Sequence, residues 1–170
     1  SENDRSRRIA DDREMANRIE RHGVEAFVNE WESLPLFATQ LKLEPEVRAA
    51  VRSGRIANRA VGLANSLRGK GTGAQESVHD RLGSVRIPVL IIAGELDDKF
   101  SKIGREMKGA LPDATMQLIE GAGHAAHIER PQNFGDVVAG FLRKINHTMS
   151  RDQFSVVRAP ENEQRSRRIK

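Results

Sequence analysis

Two short loops carry the side chains with the most chemistry in them. GELDDKF, residues 94–100, sets Asp97 beside Asp98, and GAGHAAHIERP, residues 121–131, holds His124 and His127. A carboxylate next to an imidazole fixes Nδ1–H in one tautomer and leaves Nε2 to take a proton from a nucleophile. Taken singly, a loop histidine is usually solvated and an aspartate after a strand is usually a helix cap. The chemistry needs the two loops on one edge of the molecule, so the elements around them decide the reading.

The run IPVLIIAG at 87–94 is apolar, branched and of strand length, which predicts a parallel strand covered on both faces. A helix with Ile103, Met107 and Leu111 on one side follows, then a shorter strand in ATMQLIEGA at 114–122. A last helix starts near Pro131, with Phe134, Val137, Val138, Phe141, Leu142 and Ile145 on one stripe. This β-α-β-α order predicts an α/β class with parallel strands, and functional groups in such sheets gather at the strands' carboxyl ends. Both loops sit there, with an aspartate first and a histidine second.

Upstream, residues 2–68 have helical periodicity. A charge-rich helix covers about 4–21, and Val24, Phe27, Val28 and Trp31 recur at helical spacing, as do Ala60, Leu63, Ala64 and Leu67. Gly23 and Gly69 stand where helices stop, and Pro45 opens a short helix carrying Val47 and Val51. GKGTGAQES lacks the placement of a P-loop lysine and hydroxyl and reads as a flexible connection. Beyond Asn146 the periodicity fades, and a disordered, basic tail is expected over 146–170.

Composition removes whole classes of function. With no cysteine there is no disulfide framework, thiolate metal site or cysteine nucleophile. The net charge of +4 is interleaved with acids and tyrosine is absent, which argues against a nucleic-acid partner. No apolar run approaches the roughly 18 residues of a membrane helix, so no membrane insertion and a cytoplasmic location are expected. No ligand cluster is visible, so neither a metal nor an organic cofactor is expected.

PVLIIAGELDDKF followed by GAGHAAHIERP resembles the end of an α/β-hydrolase, whose triad runs Ser, then Asp or Glu, then His. FVNEWESLPLF and GLANSLRGKGTGAQ narrow the resemblance, over about residues 2–145. They are similar to the 2-succinyl-6-hydroxy-2,4-cyclohexadiene-1-carboxylate synthases of menaquinone and phylloquinone biosynthesis. The resemblance implies a partial α/β-hydrolase fold: a helical lid over 1–82, the last two parallel strands and their helices over 83–145, then the tail. It also implies a pyruvate-eliminating lyase with Asp97 as triad acid, His124 as triad histidine, and Arg8, Trp31 and Arg52 lining the pocket. Arginine forks suit a small polycarboxylate substrate. His127 is then structural or exposed, and Asp98 the helix cap.

Each lid residue also has a bland explanation. Arg8 and Arg52 lie among other charges that form helix-surface pairs, and Trp31 fits the apolar stripe of its helix. No G-x-S-x-G occurs in the sequence, so the nucleophile is expected in an amino-terminal half of the hydrolase core supplied as a partner, and the isolated chain is expected to be inactive. A serine ester hydrolase of the same fold, or a truncated binding module using the basic tail, are the alternatives.

Overall fold

The computed structural model describes residues 2–155, with side chains through His147. Helix α1, Glu2–Glu32, is two arms joined at Gly23, whose φ of 83° and ψ of 170° are not helical. That region of backbone space is essentially open to glycine alone. The expected stop at Gly23 is therefore a bend. Ala16 and Ile19 of the first arm and Val28 of the second are buried, and α3, Ala60–Lys70, packs its buried Ala64 against α1. Arg68 ties the pair, donating to Glu20 at 2.8 and 2.6 Å and to Asn17 at 2.8 Å. That hydrogen bond holds the Glu20 carboxyl below its ordinary range.

Between these helices lie a 3₁₀ helix, Pro35–Lys42, and α2, Pro45–Ile56, which starts at Pro45 as expected. The loop after α3 departs from its reading as a flexible connection. Arg5 Nε donates to the Gly73 carbonyl at 2.8 Å, and Gly73 is buried against the start of α1. Glycines that resembled a linker serve a close backbone approach.

Strands β1, Val89–Gly94, and β2, Ala114–Ile119, pair in parallel, register running from Val89 opposite Ala114 to Gly94 opposite Ile119. Helix α4, Asp98–Ala110, connects them and packs on both. The short α5, Ala126–Glu129, leads into α6, Pro131–Ser155. Ile119, Ala122 and Ala126 form the buried centre, with Ile92, Phe134 and Val137 packed against it.

Two expectations are corrected. Val89–Ile92 are only half-buried and Ile87 is exposed, so β1 is not covered on both faces by the described residues. Among the described residues it pairs with β2 and packs on α4, and Ile92 also meets the buried cluster against which Phe134 and Val137 of α6 pack. Secondly, α6 continues past Asn146 to Ser155, because residues 147–155 contain neither glycine nor proline to end it. The rest of the expected disordered tail, 156–170, lies outside the described residues. Among the described residues no helix is long and apolar enough to cross a membrane.

Candidate active site

Because β1 and β2 end in register, their loops leave the same edge. Backbone bonds bind them: Glu95 N to Ile119 O at 3.0 Å and Leu96 N to Ala122 O at 2.9 Å. Gly94 makes this approach possible, since a Cβ there would lie 2.7 Å from the Ala122 carbonyl carbon and closer still to the carbonyl oxygens of Ala122 and Gly123.

Asp97 is buried on this edge and uses both oxygens. Oδ1 accepts from Phe100 N at 3.1 Å, and Oδ2 lies 2.7 Å from His124 Nδ1. The expected cap, Asp98, is instead the exposed first residue of α4; Asp97 caps the helix and meets the histidine at once. A carboxylate only accepts, so Nδ1 is the donor and Nε2 is left as the acceptor. The imidazole sits between two rings, Phe100 at 4.6 Å and Phe37 at 5.8 Å between centroids. Its loop is fastened by the buried Glu129, whose carboxylate accepts from Gly123 N at 2.7 Å and Ala125 N at 3.2 Å, the residues on either side of His124. His127 points elsewhere, exposed and edge-on to Phe134.

The 3₁₀ helix forms the opposite wall. Phe27, Trp31 and Phe37 form a row with ring spacings of 5.4 and 5.5 Å, ending at His124. The Thr39 side chain lies against Gly123, so the 3₁₀ helix and the histidine loop meet there as well as through their rings. Behind Phe37, Arg55 is 5.3 Å from the ring centroid and donates to Glu32 and to Gln40 Oε1, both at 2.9 Å. Arg52 donates to Glu32 at 2.8 Å and Asn29 at 2.7 Å. Burial pushes the Glu32 carboxyl up, but the hydrogen bonds and charges of Arg55 and Arg52 outweigh it and hold it below its ordinary range. A cavity of about 350 Å³ opens here, lined in part by Glu32, Phe37, Gln40, Arg48, Arg52 and Arg55.

The structure thus brings Asp97 and His124 together, puts Trp31 one ring away from His124, and sets Arg52 on the adjoining cavity. Arg8 does not line that cavity; it pairs with the buried Asp12 at 2.9 Å, one helical turn on. Sequence reasoning missed Phe37, Phe100, Gln40, Arg55 and Glu129. For Glu129 a signal existed, an acid four residues after an alanine whose amide needs a partner, but only the folded loop reveals which amides it reaches.

A buried aspartate holding a histidine at the carboxyl ends of parallel strands fits the acid-then-histidine order of an α/β-hydrolase, and the family model for the alpha/beta hydrolase fold matches residues 5–131. The chain belongs to that family. Among particular relatives, a Bacillus subtilis (strain 168) protein provisionally named 2-succinyl-6-hydroxy-2,4-cyclohexadiene-1-carboxylate synthase is 45% identical over 84% of this chain and 52% of its own length. A Salmonella schwarzengrund (strain CVM19633) protein bearing that name is 31% identical over 81% of this chain and 51% of its own length. In structure the chain is similar to MenH from S. aureus, with a TM-score of 0.83, 35% identity, and coverage of 85% of this chain and 54% of that one. The chain spans about half the length of the relatives it matches.

Proposed function

We propose that the chain carries the acid, the histidine and the lid of a 2-succinyl-6-hydroxy-2,4-cyclohexadiene-1-carboxylate synthase, a pyruvate-eliminating lyase of menaquinone biosynthesis. The observation that carries the reading is the 2.7 Å contact between His124 Nδ1 and Asp97 Oδ2 beside a lid rich in arginine. The 45% identity to the Bacillus subtilis protein supports the choice of reaction.

In this reading a serine from polypeptide outside the chain faces His124 Nε2, which takes its proton while Asp97 stabilises the imidazolium. The serine oxygen removes a ring proton from a cyclohexene tricarboxylate. The C–H electron pair becomes a ring double bond, the C–O bond to the pyruvyl group breaks, and the departing enolpyruvate takes up a proton to give pyruvate. No acyl-enzyme forms. Arg52 serves a substrate carboxylate and Trp31 the apolar wall. Arg8 joins them once its ion pair with Asp12 opens toward the ligand.

The test is a chimera with the amino-terminal half of the Bacillus subtilis relative fused ahead of residue 1, assayed for pyruvate release. Activity is expected. Asp97→Asn should reduce it about 10⁴-fold, by loss of the correct tautomer, and Arg52→Ala should cripple turnover of the tricarboxylate but not of a neutral ester. A folded, active chimera indifferent to Asp97→Asn and His124→Ala would overturn the reading.

A further inference from the structure

We infer that Glu129 is a positioning residue for the Asp97–His124 pair, its carboxylate acting through a single peptide unit to hold the histidine loop against the aspartate loop. This rests on the role just given to that pair, and the geometry behind it lies wholly within this chain. Glu129 is 5% exposed and stands on the short α5. Each of its oxygens has its own amide: Oε2 accepts from Gly123 N at 2.7 Å and Oε1 from Ala125 N at 3.2 Å, the two residues that bracket His124. The peptide unit bearing the Gly123 N–H has its carbonyl on Ala122, and that oxygen accepts from Leu96 N at 2.9 Å. Leu96 directly precedes Asp97. Glu129 and the aspartate loop therefore grip opposite ends of one rigid plane.

The chemistry of the group matters as much as its place. A hydrogen bond to a carboxylate is about twice as strong as one between neutral groups, and polarising the N–H end of a peptide strengthens the bond its carbonyl end accepts. Glu129 thus tightens the Leu96 bond along with its own. There is little slack around the plane: a Cβ on Gly94 would lie 2.7 Å from the Ala122 carbonyl carbon, and one on Gly123 would lie 3.0 Å from Thr39 Cβ. β1 and the 3₁₀ helix confine the plane by contact, and Glu129 bonds the chain on both sides of His124. The pair it serves has a narrow tolerance. His124 Nδ1 and Asp97 Oδ2 are 2.7 Å apart, and a retreat of the histidine loop by about 1 Å leaves no hydrogen bond. An amide side chain of the same size cannot replace the acid, because its single oxygen serves one of the two N–H groups and its NH2 end sets a donor against the other.

The test is Glu129→Gln in the full 170-residue chain, followed by NMR below its melting temperature. The Leu96 amide should exchange with solvent about tenfold faster than in the wild type. The Val89 amide, bonded to Asp113 O at the start of β1, should keep its rate, whereas a general loss of stability would speed both. The His124 Nδ1–H signal should shift or vanish. In the chimera described above the same variant should lower kcat about 10- to 100-fold with KM unchanged, the mark of a misplaced base and not of a damaged pocket. Glu129→Asp keeps two acceptor oxygens and should fall between wild type and Glu129→Gln in every readout. A chimera that releases no pyruvate with Glu129 in place overturns the lyase reading, and the exchange rates and the histidine signal still decide this one. A folded Glu129→Gln with the wild-type Nδ1–H signal and wild-type Leu96 exchange, or with Leu96 and Val89 accelerated alike, overturns the inference. Should Glu129→Gln not fold, the same two signals in Glu129→Asp decide it, and their staying at the wild-type values overturns it.

Discussion

Replacing Gly94 by alanine attacks the tightest backbone approach between the loops that follow β1 and β2. The new methyl would lie 2.7 Å from the Ala122 carbonyl carbon, against an ordinary separation of about 3.5 Å or more between carbons. Because a carbonyl in a stitched loop cannot rotate aside as a side chain can, the β2 loop must retreat by about 1 Å. The His124–Asp97 contact then lengthens from 2.7 Å to about 3.7 Å, which is no longer a hydrogen bond. Overpacking of this kind costs about 1–3 kcal/mol, and loss of the Leu96–Ala122 backbone bond adds about 1 kcal/mol. At about 2–4 °C per kcal/mol for a chain of this size, melting should fall by roughly 4–16 °C. Differential scanning calorimetry gives the shift, and the His124 Nδ1–H NMR signal reports the bond. Gly109→Ala is the control, a glycine with open space around its would-be Cβ inside α4; it should stabilise by about 0.5–1 kcal/mol. If Gly94→Ala melts with Gly109→Ala and keeps the histidine signal, the close-approach argument is wrong.

Glu129→Ala strips the partner from two buried amides and should cost about 1–3 kcal/mol for each, seen as a lower urea midpoint, with Glu129→Asp recovering part of it. Gly23→Ala places a methyl in open space but in a backbone region that strains any L side chain, so a loss of about 1–3 kcal/mol is expected, and an unchanged melting temperature would count against the bend. For Glu32 the folded carboxyl titrates below its ordinary value of 4.5. The stabilisation it provides is therefore full above that value and is lost as pH falls through the lower folded one. Urea titrations from neutral to strongly acidic pH should show a steeper acid loss in the wild type than in Glu32→Gln.

The order of elements and the partnership of Asp97 with His124 were readable because they rest on local pattern. Apolar run length, helical spacing and loop position at strand ends all survive folding unchanged. What was misread or missed depends on groups distant in sequence. Gly73 looked like a linker residue because nothing near it in sequence reveals the Arg5 side chain that bonds its carbonyl. Asp97 and Asp98 could not be separated by spacing, since either can cap a helix; the histidine across the sheet edge selects Asp97. Gln40 and Arg55 lie on different helices and gain meaning only as a pair. Arg8 shows the reverse: its pair with Asp12 is local and was legible as such.

The contact of Thr39 with Gly123 bears on how such a protein can be re-engineered. A Cβ on Gly123 would lie 3.0 Å from Thr39 Cβ and closer to its hydroxyl oxygen, so the two positions must be chosen together. Grafting a foreign cap onto this core will therefore succeed only if the donor brings a side chain no larger than threonine to position 39, and a library that varies positions 39 and 123 jointly should yield functional pairs that single-site scans never find.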